Sequence, residues 1–381
     1  MRSSVVIFAI ASGLVGGLFS SAWMNGMAIQ RVQNTFDLET AHIQFHHPEF
    51  ADNFDIKKTI KSTKTKLNEI TQTEGVKAVT SRIKTSAMAA TANKNMGVTL
   101  MGIHTDSEKE VFGLFKKIDS GSGNFFETKR KNSIVISKAL AKELKVKLKS
   151  KIVLTFQDFN GENTGAAFKV VGIFKTDNST WDKMHVFVQR EDLARVLEMP
   201  KDESHEIDIL LEDYNQAAMI SGQLQKEYED VLSEDWSEIQ PYISFLTEYM
   251  NITMGIFMLI ILSALGFGIV NTMLMVILER TRELGMLMAI GMTKRRVFMM
   301  IMLETIFLAL VGAFIGEILS MLLIHYYGNT GIDISSMAEG LESVGYSAIT
   351  YPVLEAYRYI QITLMVVMIG ILASIYPAVK G

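Results

Sequence analysis

Cysteine is missing from this 381-residue sequence altogether and proline occurs only five times, while methionine occurs 24 times. Lack of cysteine excludes a disulfide scaffold, a cysteine-ligated metal and thiol chemistry. Charge is also sparse. Asp, Glu, Lys and Arg make up 20% of the chain against 49% apolar residues, and the mean hydropathy is +0.22, which argues against a single ordinary soluble globule and against disorder. A net charge of -4 with no clustered basic face leaves no footprint for a nucleic-acid partner. There is no GxxxxGK[ST], no HExxH and no GxSxG. The chain is therefore not expected to hydrolyse ATP by itself, catalytic residues and metal ligands are not assigned, and no directly bound cofactor is expected.

What the sequence has instead is long uncharged runs. No charge falls between Arg2 and Arg31, enough for the ~20 residues that cross a bilayer, so residues 1–30 read as transmembrane helix 1. Residues 249–278 read as helix 2, 297–324 as helix 3 and 359–381, uncharged up to Pro377, as helix 4. A cleaved signal peptide is the rival for the first run, given Arg2 and the small residues Ser20, Ser21 and Ala22. Its length, Trp23 near its end and the three later spans favour a retained anchor. Residues 279–296 carry Arg280, Arg282, Lys294, Arg295 and Arg296 against Glu279 and Glu283, and this positive excess places the segment in the cytoplasm. By alternation both ends, with Arg2 and Lys380, are cytoplasmic, and residues 31–248 and the acidic external loop 325–358 lie outside. The expected fold is an α-helical membrane protein with four transmembrane helices and a large α/β extracytoplasmic domain inserted between helices one and two.

That domain holds 29 of the 37 Lys and Arg and 33 of the 41 Asp and Glu. Alternation in HIQFH, KIVLTF, FKVVGIF, HVFV and EIDILL predicts half-buried strands, and Ile56–Ile70, Ser137–Leu144, Arg190–Leu197 and Asn215–Tyr228 read as helices. A strand-rich subdomain is expected at about 120–185. Asp119–Asn124 (DSGSGN) lacks the Lys-Ser/Thr end of a phosphate loop and reads as an exposed turn anchored by Phe125 and Phe126. His42 and His46 share one strand face beside His47, but no carboxylate partner at ligand spacing accompanies them, so a structural or solvent-facing role is expected.

Residues 279–304, ERTRELGMLMAIGMTKRRVFMMIMLE, are the most informative stretch. Leu284, Leu287 and Met288 stand at i, i+3, i+4, giving a short amphipathic helix at the membrane surface. Gly285 and Gly291 permit close approach or a bend, and Lys294, Arg295 and Arg296 suit lipid headgroups or mark the entry of helix 3. Glu304 lies about 12 Å along that helix from Arg296 at ~1.5 Å per residue, in its inner half, and Glu317 is nearer the outside. A charged carboxylate at mid-bilayer costs roughly 2.5–3.5 kcal/mol, so both should face protein, water or an interface, or be protonated. Gly312, Gly316 and Ser320 form a small-residue ridge for tight helix packing.

Glu279, Arg282, Glu283, Gly285, Ala289, Gly291 and Glu304 fall where the ERxxExGxxxAxG stretch and the following helix glutamate lie in the ABC transporter permease superfamily that includes lipoprotein-releasing, macrolide-exporter-type and cell-division-type subunits, and the chain resembles that superfamily over nearly all its length. The outer domain is similar to the lipoprotein-releasing branch: AHIQFHHPEF resembles its GHIQI strand, Gly75–Arg82 its GVKAVxxR, Met101–Glu108 its GIxxxxE, and Trp236, Glu238 and Pro241 its WxExxP. Ala41 stands where that branch has glycine, Glu317 is unusual, and the branch's elbow before helix 1 and its tail after Pro377 have no counterpart in this sequence, which suggests trimmed ends and leaves open whether the native chain extends further. The resemblance implies that residues 279–296 are a coupling helix docking into a separate nucleotide-binding ATPase subunit, which holds ATP and magnesium, and that two permease subunits, alike or different, pair in the bacterial inner membrane. It further implies release of lipoproteins to a periplasmic carrier. Extrusion of small hydrophobic compounds or peptides, and ATP-driven signalling to a periplasmic hydrolase or sensor, are the alternatives.

Overall fold

A computed structural model describes residues 2–50, 54–92, 94–127 and 130–380. The side chains of 2, 3, 251 and 377–380 lie outside that description, and with them the expectations placed on Arg2, Pro377 and Lys380. The chain forms two compact units, one helical (up to Ile29, Leu246–Ser335 and from Ile349) and one α/β (Gln30–Phe245 with Ser336–Ala348).

The helical unit is built on α1 (Arg2–Thr35), α2 (Pro241–Glu279), α3 (Thr281–Ala289), α4 (Lys294–Thr330) and α5 (Ala356–Lys380). All except α3 are long and apolar enough to cross a membrane. At 34, 39 and 37 residues, α1, α2 and α4 overrun the apolar runs of the sequence. A formed helix propagates cheaply into polar flanks until backbone chemistry stops it. Here Pro241 occupies the first position of α2, where its missing N–H costs nothing, and Gly331 at φ 76° ends α4. Consequently α4 continues past residue 325, and Ser336–Ala348 of the loop that follows belong to the α/β unit. There Lys175 Nζ reaches Glu342 at 2.8 Å, and Thr180 Oγ1 donates to the Ser343 carbonyl at 2.9 Å.

Val6, Ile10, Leu14 and Leu18 form a stripe along α1 that packs with Leu262 and Ile269 of α2, Ala309 and Ala313 of α4 and Val366 of α5. Outward residues such as Phe267, Leu259 and Leu364 stay exposed. In lipid this exposure carries no penalty, so close packing of small residues must hold the helices together. A β-carbon on Gly312 would lie 2.9 Å from Ile10 Cβ, and one on Gly316 would lie 3.0 Å from the Ala11 carbonyl oxygen. The small-residue ridge of α4 is thus the seat of α1. Ala22–Asn25 of α1 clasp the chain before α5: Val353 N–H donates to the Ala22 carbonyl (3.0 Å), Trp23 Nε1 to Thr350 Oγ1 (2.6 Å) and Asn25 Nδ2 to the Val353 carbonyl (3.1 Å). Gly26 has no room for a β-carbon, which would sit 2.0 Å from the Tyr351 carbonyl oxygen.

The α/β unit is organised by one ten-stranded mixed sheet. Its strands are β1 (Ile43–His46), β2 (Val76–Ala90), β3 (Asn95–Ile103), β4 (Ile118–Gly123), β5 (Ser133–Ser137), β6 (Lys151–Gln157), β7 (Asn163–Phe174), β8 (His185–Gln189), β9 (Glu206–Leu211) and β10 (Leu232–Asp235). The order is β10-β1-β9-β2-β3-β8-β5-β7-β4, with β6 pairing β2 and β7 off that path. Only β3–β8 and β5–β7 are parallel. The strands within residues 120–185 are therefore paired into the same sheet as the flanking ones.

Three expectations need correction. Of Ile56–Ile70 only Thr63–Ile70 is helical, because Ile60 is tied to Ser204 in an isolated β-bridge. Asp119–Gly123 belongs to β4 rather than to a turn: this edge strand pairs irregularly with β7 between Ile118 and Gly123 and is followed by the buried Phe125 and Phe126. The strands HIQFH and EIDILL are buried nearly throughout rather than half-buried, because β9 and β10 flank the first and β1 and β2 the second. The 15-residue β2 was not legible from alternation at all.

Candidate functional site

The segment after α2 is shaped by local backbone chemistry. Arg280 leaves the helical conformation at φ -97°, ψ 14°, and α3 begins at Thr281. It ends in a Schellman motif: Gly291, at φ 106°, donates to the Met288 carbonyl (3.1 Å), and Met292 donates to the Leu287 carbonyl (3.0 Å). Gly291 is therefore the left-handed residue that stops the helix, whereas an added β-carbon at Gly285 would meet nothing within 4 Å. Leu284 is buried, Leu287 and Met288 are half-buried, and Arg282, Glu283, Gly285, Met286, Ala289 and Ile290 are exposed. Ile290 is 80% exposed, so α3 presents a mixed cationic and apolar outer face over a seated apolar one.

Arg280 ties this segment to α4. Its guanidinium lies 3.3 Å from the half-buried Glu304 and 3.8 Å from Glu283. Glu304 thus has a cation supplied from 24 residues earlier in the chain. Glu279 closes α2. Lys294, Arg295 and Arg296 fill the exposed first turn of α4, where the positive end of the helix dipole repels them. Glu317, half-buried further along α4, accepts a hydrogen bond from Thr363 of α5. Of the residues singled out in 279–296, Arg280 and Glu283 are brought together with Glu304. Glu317 is about 20 Å further along the helix, and Gly312 and Gly316 face α1.

A second constellation lies inside the α/β unit. Arg82 on β2, fully buried, holds Glu108 through Nη2 (2.5 Å) and Nε (3.1 Å), reaches Asp208 at 3.6 Å, and stacks over Phe112 at 3.4 Å. Gln44 donates to Asp208 (2.7 Å) and Lys84 to Glu206 (2.7 Å). Burial pushes the Asp208 carboxyl up to about 7. The arginine ending the GVKAVxxR run and the glutamate ending the GIxxxxE run are thus each other's partners, a pairing neither run reveals alone. Glu206 and Asp208 were missed because alternation puts them on a water-facing side that β9 does not have.

The histidines go to separate partners. His42 Nδ1 accepts from the Leu211 N–H (3.0 Å), and burial lowers its pKa to about 4. His46 Nε2 meets Glu234 at 2.5 Å. His205 accepts from the Lys84 N–H through Nδ1 (3.1 Å) and donates from Nε2 to the Ile56 carbonyl (3.0 Å). Among the described residues no group of three or more His, Asp or Glu is arranged to hold a metal ion.

Residues 3–227 match the MacB-like periplasmic core domain, and residues 255–381 match the FtsX-like permease C-terminal family. The macrolide export ATP-binding/permease protein MacB of Neisseria meningitidis serogroup A is 24% identical over 181 residues, covering 44% of this chain and 28% of that protein. The lipoprotein-releasing system transmembrane protein LolE of Haemophilus influenzae is 20% identical over 329 residues, covering 81% of this chain and 76% of that one. Among solved structures, the periplasmic region of MacB from Actinobacillus actinomycetemcomitans aligns with a TM-score of 0.35 at 12% identity, covering 56% of this chain and 97% of that one. The extracellular domain of the transporter YknZ from Gram-positive bacteria gives 0.35 at 17% identity, covering 51% and 98%. The matches span only 15% to 28% of the length of the macrolide-export relatives.

Proposed function

Because the chain belongs to the ABC transporter permeases that join a MacB-like periplasmic core domain to an FtsX-like C-terminal half, we propose that it is a transport subunit driven by a separate nucleotide-binding ATPase docked on α3. The observation that carries this is the division of α3 into a seated face and an open one. Gly285, Met286, Ala289 and Ile290 form an exposed row beside Arg282. It suits a groove on a partner, with the small residues allowing close approach and the apolar ones supplying burial. ATP and magnesium sit in that partner. Arg280 passes its displacement to α4 through Glu304, and Lys294–Arg296 hold anionic headgroups at the cytoplasmic surface.

The α/β unit occupies the periplasmic side of the inner membrane as a domain inserted between α1 and α2. Membership of Ser336–Ala348 in that unit supports this, since the chain on both flanks of the α4–α5 connection must then open to one side. A second permease copy or homologue completes the path. The cargo in this reading is a lipoprotein handed to a periplasmic carrier, supported by a lipoprotein-releasing relative aligned over 81% of the chain. The macrolide-export relatives favour extrusion of a small hydrophobic compound instead. Co-purification decides the ATPase: Arg282→Ala with Glu283→Ala should lower recovery of the ATPase and ATP-stimulated activity at least tenfold, and unchanged values would remove α3 from the mechanism. Cross-linking from the α/β unit separates the cargo readings, since acylated proteins are expected under the first and an adaptor under the second.

A further inference from the structure

A cavity of about 390 Å³ opens in the helical unit between α1, α2 and α5. Met254 and Met258 of α2 and Met365 and Met368 of α5 line it, and methionine is the side chain that adapts most readily to a flexible apolar guest. Asn25, Arg358 and Gln361 line the cavity near the start of α5, and Ser263 lines it further along α2. The Arg358 guanidinium lies 5.2 Å from the centre of the Tyr357 ring, and no ion pair within 4.0 Å among the described residues involves it. One turn further in along α1, Ser21 is 6% exposed and its hydroxyl, buried in the wall, has no hydrogen-bond partner.

These groups are laid out at the levels of a lipid. From Arg358 to Ile369 the lining covers about 16 Å of α5 at ~1.5 Å per residue, close to half of the ~30 Å hydrocarbon core. Ser21 stands about 6 Å along α1 from Asn25. A guanidinium at the interface wants a phosphate, and a buried hydroxyl below it wants an acceptor.

We propose that this cavity binds one diacyl phospholipid of the outer leaflet. Its phosphodiester sits on Arg358 and Gln361, Ser21 donates to a glycerol ester carbonyl, and one acyl chain follows the methionine wall toward the bilayer centre. The lipid anchor of a cargo protein offers esters and chains but no anion at that level, and so leaves Arg358 without a counter-charge. The bound lipid fastens α5 to α1 and α2. This inference rests on the reading that α1, α2 and α5 cross the membrane with residues 350–358 outside.

The test is native mass spectrometry of the full chain, delipidated in mild detergent and titrated with dipalmitoyl phosphatidylglycerol or with dipalmitoyl glycerol as the headgroup-free probe. The wild type should take up one phosphatidylglycerol and bind the diacylglycerol at least tenfold more weakly, a comparison that needs no variant. Arg358→Gln should lose at least tenfold in affinity, and Arg358→Lys should stay within a few-fold of wild type. Gly255→Phe should also lose at least tenfold, because Gly255 lines the wall and a β-carbon there meets nothing within 4 Å, leaving room for a larger side chain to start. Equal binding of the two probes, or full binding by Arg358→Gln, would overturn the phosphodiester assignment, and full binding by Gly255→Phe would overturn the cavity. Labelling of Lys145 and Lys294 from opposite sides of the membrane separates failure of this site from failure of the permease topology, which labelling from one side would refute together with it.

Discussion

At Gly316 a β-carbon would lie 3.0 Å from both the Ala11 carbonyl oxygen and Leu14 Cβ, whereas at Gly285 it would meet nothing within 4 Å. Gly316 is therefore held by a neighbour within the chain, while Gly285 borders open space. Gly316→Leu should destabilise the helical unit by about 1–3 kcal/mol through overpacking, seen as an earlier thermal transition in detergent. Gly285→Leu should leave that transition in place and weaken ATPase recovery. A third residue-scale prediction concerns the buried Arg82–Glu108 pair, both 1% exposed. Glu108→Gln leaves a guanidinium short of charge in the interior and should cost about 3–5 kcal/mol, while Arg82→Met with Glu108→Leu should recover much of the loss. Urea unfolding followed by Trp181 and Trp236, which both lie in the α/β unit, reads the difference.

For individual elements, legibility in the sequence followed how far each depends on its neighbours. The inner face of α3 was readable from Leu284, Leu287 and Met288, because a helix fixes its own periodicity. The strands β1, β6, β7, β8 and β9 announced themselves by alternation. β2 did not: VKAVTSRIKTSAMAA has few large apolar side chains, and its strand state is imposed by pairing to β3, β6 and β9. Arg280 and Glu304 were each visible as a charge, but their pairing depends on how α4 folds back against the end of α2. The Schellman end of α3 gives the element's own prediction. Gly291→Val should fray its last turn, since a β-branched residue resists positive φ, and should lower ATP-stimulated activity while leaving the α/β unit's urea midpoint unchanged.

Across the whole chain, opposing titrations meet in the α/β unit. Burial lowers His42 and His185 to about 4, so the unfolded chain takes up protons below about 6.5 that the folded one refuses. The stability these histidines contribute is complete above that value and is lost as pH falls toward 4. Burial raises Asp182 to about 6 and Asp208 to about 7. Their contribution is complete below about 3.9 and is lost as pH rises through the folded values. Asp208→Asn removes one side of this balance, so its urea midpoint should fall more steeply than wild type between pH 6.5 and 4.5. The clasp formed by Ala22–Asn25 of α1 bears on motion rather than on stability. Three hydrogen bonds and the missing β-carbon of Gly26 leave α1 no way to slide past residues 350–353. Any stroke that moves α1 lengthwise must drag the head of α5 with it, so spin labels at Ala28 and Val353 should keep one separation throughout the ATP cycle.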